Sequence, residues 1–124
     1  MIDYLTLEDL LTIVERYGLQ AVRDVGLLDS AAHRPQTSRF GDDAYPAIEE
    51  KAAVLLESIV RNHPLIDGNK RLGWIAAVMF LERNRRRVEA PLDDAYDLVI
   101  AVSTGVMGYQ ESAARLAAWT STST

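Results

Sequence analysis

The chain has 124 residues, a length that fits one domain, and 48% of them are hydrophobic, which is enough to build a core. Its net charge of -5 excludes the domain-wide basic surface that is typical of nucleic-acid-binding proteins, so an anionic ligand would need a local cluster of cations. The absence of cysteine excludes disulfides, thiol nucleophiles and thiolate zinc sites.

Neither a targeting signal nor a membrane span is evident in the sequence. The N-terminus lacks a basic stretch followed by an apolar one. The longest apolar run, at 72–81, is about ten residues and falls short of the roughly 20 that cross a bilayer. We therefore expect a protein of the cytoplasm with no membrane partner and no direct nucleic-acid partner.

The first half of the chain predicts two helices and an irregular segment. Thr6 suits the N-cap of the first helix, with Asp9 in the position of a capping-box acid, and Gly18 suits its end. A short helix is predicted over 29–34. Residues 36–46 lack helical spacing and contain Gly-Asp-Asp turn chemistry, which predicts an exposed loop or small hairpin. This segment is either an ordinary connector or a flap beside a binding site.

The second half predicts four helices. The most apolar of them is expected over 69–84, and because 72–81 carry no charged residue we expect it to be buried almost all round. The other three follow from one-face apolar spacing and are expected over 46–62, 92–104 and 109–120.

These elements predict an all-α fold, a compact helical bundle around a buried central helix with a small flap or hairpin. We expect a single domain over 1–119. The closing residues 120–124 are a low-complexity run of Thr and Ser, for which we predict a flexible tail.

The most informative stretch is 63–71, His-Pro-Leu-Ile-Asp-Gly-Asn-Lys-Arg, which directly precedes the apolar run. A helix N-terminus offers unpaired backbone N–H groups and the positive end of the helix dipole, so it attracts anions. Gly68 allows a ligand to approach the backbone closely. Asn69 is suited either to cap the helix or to donate to a ligand.

The charged residues of this stretch suggest chemistry on a phosphate. Lys70 and Arg71 stand where the helix dipole disfavours cations by roughly 0.3–1 kcal/mol each, a cost that makes sense if an anion binds. Asp67 is either their ion-pair partner or a ligand of Mg2+, which favours one or two carboxylates plus substrate phosphates. His63, held out of the helix by Pro64, is a candidate base for activating a hydroxyl.

Each of these residue types alone has a common structural explanation. A lone His is usually a structural hydrogen-bonding group, Asp-Gly-Asn is usually a turn and cap, and Lys-Arg is usually solvated surface. Their grouping next to the most apolar helix favours a site for chemistry on a nucleotide phosphate. Outside it, we interpret His33 and Arg61 as structural or surface residues, and the arginines at 83–87 as a solvated helix end.

The 63–71 stretch resembles the signature of the Fic superfamily, H-x-F-x-[DE]-G-N-G-R-x-x-R. The Doc (death-on-curing) branch has Lys in place of the second Gly, as this sequence does at Lys70. The resemblance covers most of the chain, about residues 3–118. Its further blocks lie at 4–6, 26–31, 34–36, 45–46 and 49–53.

The resemblance implies a Fic/Doc-type helical fold and specific roles for the loop. His63 would be the base that activates a target hydroxyl, and Asp67 would hold Mg2+. The segment 36–46 would be a flap that aligns the target chain by strand addition. The residues implied to bind the phosphates of ATP are Gly68, Asn69, Lys70 and Arg71.

The resemblance also implies a biological role. It points to a toxin of a type II toxin–antitoxin system that transfers the γ-phosphate of ATP to a threonine of elongation factor Tu and so arrests translation. A Phd-type antitoxin would fold its C-terminal segment onto the toxin and block the site. Two alternatives stay open: a Fic-type AMP transferase, and a catalytically silent regulator that acts by binding the antitoxin.

Two residues depart from the pattern. Leu65 replaces the Phe that is expected to anchor the loop, keeping an apolar side chain of smaller volume. Trp74 stands where AMP-transferring Fic enzymes carry their second Arg, and the loss of that cation favours the kinase interpretation.

Overall fold

The fold is helical, with two small antiparallel hairpin sheets. The computed structural model describes residues 1–19 and 21–122, and these ranges contain six α-helices and four short strands. The predicted all-α class with a hairpin is confirmed. In chain order the elements are α1 (Leu7–Arg16), α2 (Val25–His33), a 3-10 turn (Arg34–Gln36), β1 (Ser38–Arg39), β2 (Asp42–Asp43), α3 (Ile48–Asn62), α4 (Asn69–Arg83), β3 (Arg86–Val88), α5 (Leu92–Ser103), α6 (Tyr109–Ala118) and β4 (Thr120–Thr122).

The predicted capping box starts α1 and also joins it to the end of α4. The Thr6 hydroxyl accepts from the Asp9 N–H at 3.1 Å, and the Asp9 carboxylate accepts from the Thr6 N–H at 2.9 Å. The same carboxylate accepts from both terminal nitrogens of Arg83, at 3.0 and 3.3 Å. This hydrogen bonding to Arg83 lowers the pKa of Asp9.

The core is centred on α3, which is buried over nearly its whole length. It packs against α4, where Gly73 allows the two helices to approach closely. A Cβ at Gly73 would lie 2.7 Å from Val60 Cγ1 and 2.9 Å from Leu56 Cδ1. This packing determines the position of the loop that joins the end of α3 to the start of α4.

The expectation that α4 is buried almost all round is wrong. One face packs on α3, but the opposite face is only partly covered and lines two apolar pockets that share Trp74, one beside Tyr17 and one against α5. We call these two pockets together the groove. An uncharged helix is compatible with either environment, since an apolar groove requires the same residue types as a core. The partly exposed apolar residues of this face are Trp74, Ile75, Val78 and Met79.

The segment expected to be a loop or hairpin is a hairpin. Ser38 pairs with Asp43 around a turn in which Phe40 and Gly41 have φ angles of 53° and 83°. The fully buried Lys51 anchors the hairpin, since its Nζ donates to Asp43 Oδ2 and to the carbonyl of Pro35, both at 3.3 Å.

Two boundaries differ from the sequence-based expectation. The helix expected at 29–34 begins earlier, at Val25, because the side chain of Asp24 caps it by accepting from the Leu27 N–H at 3.1 Å. The tail expected to be flexible from residue 120 instead forms β4, which pairs with β3 over Arg86–Val88. Residues 123–124 lie outside the described ranges. Among the described residues, no helix combines the length and apolarity that crossing a membrane requires.

Candidate functional site

The loop between α3 and α4 borders a cavity of about 430 Å³. This volume lies within the usual range of small-molecule sites. The structure brings all six predicted site residues to this one cavity. Those residues are His63, Asp67, Gly68, Asn69, Lys70 and Arg71, and Gly18, Leu19 and Ile66 complete the lining.

Asn69 holds the loop in shape from inside. Its Oδ1 accepts from the Leu65 N–H at 2.9 Å, its Nδ2 donates to the Leu65 carbonyl at 3.0 Å, and the residue is only 7% exposed. The carboxamide therefore neither caps α4 nor stands free for a ligand, the two roles the sequence left open. The N-cap is Gly68, with φ 91°. The Leu65 side chain is 1% exposed, in keeping with an apolar anchor.

His63 is the C-cap of α3 and has a left-handed backbone, with φ 52° and ψ 63°. His63 is one of the residues that line the cavity, and its Nδ1 lies 3.4 Å from Asn69 Nδ2. Because the Asn69 oxygen is already bound to Leu65, the amide presents N–H to the ring, and His63 Nδ1 must be the acceptor in this long contact. In the neutral ring this contact favours the tautomer that carries its proton on Nε2. For Nε2 to accept a proton, His63 must therefore first break the contact with Asn69.

The start of α4 forms an anion cradle. The backbone N–H groups of Asn69, Lys70 and Arg71 belong to the first helical turn and have no acceptor among the described residues. The side chains of Lys70 and Arg71 are exposed and, within residues 1–19 and 21–122, form no ion pair. Their positive charge therefore remains available to a ligand such as phosphate.

Asp67 is not an ion-pair partner of the neighbouring cations. Its Oδ1 accepts from the Gly68 N–H at 2.8 Å, and Oδ2 has no protein partner in the described part of the chain. No group of three or more His, Cys, Asp or Glu that could hold a metal occurs among the described residues. One open carboxylate beside a phosphate cradle fits Mg2+, which is commonly bound by a carboxylate, waters and substrate phosphates.

Most of the other cations noted in the sequence have structural partners. Arg61 donates to the carbonyls of Val102 and Met107 at 2.9 and 2.8 Å, which joins α3 to the last turn of α5 and to the connection that follows it. The Nδ1 of His33 lies 3.3 Å from Oδ1 of Asp29. The arginines at 83–87 are not simply a solvated helix end, because Arg83, Arg86 and Arg87 pair with Asp9, Glu49 and Glu89.

The segment 21–24 supports the loop from outside and was not predicted from the sequence. The backbone N–H groups of Arg23 and Asp24 donate to the Pro64 carbonyl at 2.7 and 3.1 Å, and the Ile66 N–H donates to the Ala21 carbonyl at 3.0 Å. No local spacing signals this pairing, because the two segments are about 40 positions apart.

The fold and cavity define a helical protein in which the loop between α3 and α4 brings a histidine and two exposed cations to one cavity. A protein-family model with the description "Fic/DOC family" matches residues 4–81 of the chain. The chain is 46% identical over 121 residues to the protein named Toxin Doc of Mycolicibacterium smegmatis (strain ATCC 700084 / mc(2)155), covering 94% of this chain and 93% of that protein. The chain belongs to the Fic/DOC family, which confirms the resemblance drawn from the 63–71 stretch.

We expect Asn69→Ala to destabilise the protein by about 1–3 kcal/mol, because it leaves the N–H and carbonyl of Leu65 without partners in a buried position. Urea unfolding followed by circular dichroism measures this free energy. The control is Lys70→Ala, which removes an exposed side chain that the helix dipole disfavours, so stability should stay unchanged or rise by up to about 1 kcal/mol. Equal effects of the two substitutions would show that the carboxamide does not hold the loop.

Proposed function

We propose that this chain is a Doc-type toxin that uses ATP and Mg2+ to phosphorylate a hydroxyl side chain of a target protein. The expected target is a threonine of elongation factor Tu, with arrest of translation as the result. One observation carries the proposal: His63 borders the same cavity as Lys70, Arg71 and the free N–H groups of α4. The name of the similar protein, Toxin Doc, supports the toxin assignment.

The proposed reaction follows from the charges around the cavity. The N–H groups at 69–71, with Lys70 and Arg71, hold the ATP phosphates and offset the charge that develops on transfer. Asp67 would hold Mg2+, which supplies further charge neutralisation when bound. The target hydroxyl oxygen bonds to the γ-phosphorus, the bond to the β-phosphate oxygen breaks, and ADP leaves. His63 takes the hydroxyl proton.

Transfer of the γ-phosphate is favoured over transfer of AMP by the surroundings of Trp74. This residue stands where the Fic signature has its second Arg, and its ring packs edge-on against Trp119 at 6.4 Å, away from the cavity lining. Among the described residues, the cations that line the cavity are Lys70 and Arg71. The additional phosphate contact associated with AMP transfer is therefore lacking.

The test is transfer of label from ATP to purified elongation factor Tu. Wild type should transfer the γ-phosphate, and His63→Ala should lower the rate by about 10²-fold or more, the usual contribution of a general base. Because His63 is exposed, the melting temperature should not change. His33→Ala, at an exposed histidine away from the cavity, is the matched control.

Each alternative predicts a different result in that assay. Label from the α-phosphate on the target would identify an AMP transferase. Absence of either label, with binding to the antitoxin retained, would identify a silent regulator. Full γ-transfer by His63→Ala would remove the histidine from the mechanism.

We expect Arg71→Ala to raise the Kd of Mg-ATP by about 10- to 100-fold, because a charged hydrogen bond to phosphate is worth roughly 1.5–3 kcal/mol. Isothermal titration calorimetry measures the affinity. Arg87→Ala removes the same charge far from the cavity, where Arg87 pairs with the exposed Glu89 at 3.6 Å. If both variants weaken binding equally, net charge rather than a cradle determines affinity.

We assign a Phd-type antitoxin to the apolar groove on the outer face of α4. One part lies beside Tyr17, which directly follows α1, and the other lies against α5, where Leu92 and Tyr96 are 85% and 66% exposed. The part beside α5 is bordered by Lys70 and Arg71, the cations that also border the phosphate cavity. A helical segment with an apolar face would fit the groove, and acidic residues on it would meet these cations.

Tyr96→Asp should weaken binding of a synthetic peptide of the antitoxin C-terminal segment at least tenfold, because it places a charge that must be desolvated in the groove. Fluorescence anisotropy of the labelled peptide measures this. Val106→Asp is the control, since Val106 is 81% exposed and does not line the groove. Unchanged binding by Tyr96→Asp would place the antitoxin on another surface.

A further inference from the structure

We infer that Arg23 is a positioning residue that holds His63 in the backbone conformation required for its action. The inference rests on the proposed role of His63 as the base. It concerns a residue outside the loop, in the connection between α1 and α2.

The side chain of Arg23 closes the end of α3. Its Nε donates to the His63 carbonyl at 2.9 Å, and its Nη2 donates to the Asn62 carbonyl at 3.0 Å. The last carbonyls of a helix have no intrahelical partner, and a cation is favoured there by the helix dipole. The guanidinium therefore bridges the last residue of α3 and the histidine that follows it.

The bridge acts at a strained residue. A left-handed conformation in a residue other than glycine costs on the order of 1–3 kcal/mol and persists only where the surroundings enforce it. His63 has φ 52°, and the following Pro64 favours an extended conformation instead. Release of the His63 carbonyl would allow the backbone to relax to that conformation, which would turn the imidazole away from the cavity.

Two simpler roles for Arg23 would be a surface salt bridge and support of the loop through its backbone alone, and the geometry distinguishes the positioning role from both. Within the described ranges Arg23 forms no ion pair, so its charge is not spent on a surface salt bridge. The pairing of Arg23 with Pro64 uses the backbone N–H, which any side-chain substitution except proline preserves. Because Arg23 is also exposed, removal of its guanidinium should alter His63 without unfolding the loop.

The test compares Arg23→Met, Arg23→Lys and the control Arg87→Met. With Arg23→Met we expect γ-phosphate transfer at saturating ATP to fall at least tenfold, since misplacement by about 1 Å can cost up to 10²-fold. The Kd of Mg-ATP should change less than about twofold, because the cradle is untouched. Arg23→Lys should restore part of the rate by supplying one donor, and Arg87→Met should match wild type.

NMR supplies a measurement that does not depend on activity. The chain has two histidines, so a His33→Gln background leaves His63 as the single histidine to assign. Its Cα and Cβ shifts should move from left-handed to extended values in Arg23→Met and back toward wild type in Arg23→Lys.

Unchanged His63 shifts in Arg23→Met would overturn the inference. A loss of rate would also overturn it if the affinity for ATP fell by the same factor and the melting temperature dropped, since that pattern indicates a general structural role. If wild type transfers no phosphate while the shifts move as expected, the proposed function fails and the positioning of His63 by Arg23 stands.

Discussion

The site depends on the buried carboxamide of Asn69. The carboxamide supplies hydrogen-bond partners for both the N–H and the carbonyl of Leu65, which have no helix or strand partner. A buried N–H without a partner at this position would be costly. Backbone groups of 21–24 and the Arg23 side chain satisfy most of the remaining groups of 63–66. The loop is therefore fixed before any ligand arrives, which is the condition under which fixed dipoles and charges stabilise a reacting phosphate most strongly.

The polar groups of the loop and of the start of α4 fall into two sets, those with a partner in the described part of the protein and those without one. Asn69 and Leu65 make their hydrogen bonds within the protein and determine the shape. Lys70, Arg71 and the N–H groups of the first turn of α4 have no partner among the described residues, and they all border one cavity. Two adjacent cations at the positive end of a helix are unfavourable for the free protein, so stability does not explain their placement, whereas the proposed nucleotide would.

The sequence predicted the features that depend on local spacing and missed those that depend on distant pairing. The Thr6–Asp9 capping box is local, and its prediction is confirmed. The grouping of the 63–71 residues is also local, and the structure brings the predicted residues to one cavity, but Asn69 takes neither of the two roles expected for it. The exposure of one face of α4 could not be predicted, because an apolar groove and a core have the same composition. The β3–β4 pairing and the contact of Arg23 with His63 join segments far apart in the chain.

The groove and the phosphate cavity share Lys70 and Arg71, and this shared border has a thermodynamic consequence for the proposed function. A segment in the groove that brings acidic residues to these cations would compete directly with ATP phosphates for them. Such coupling is reciprocal, so ATP would weaken binding of the segment by the same factor by which the segment weakens binding of ATP. The apolar part of the groove does not contact phosphate, so it can add affinity for the segment alone. A partner anchored there could therefore displace a nucleotide that depends on the cradle, without any change in the shape of the loop.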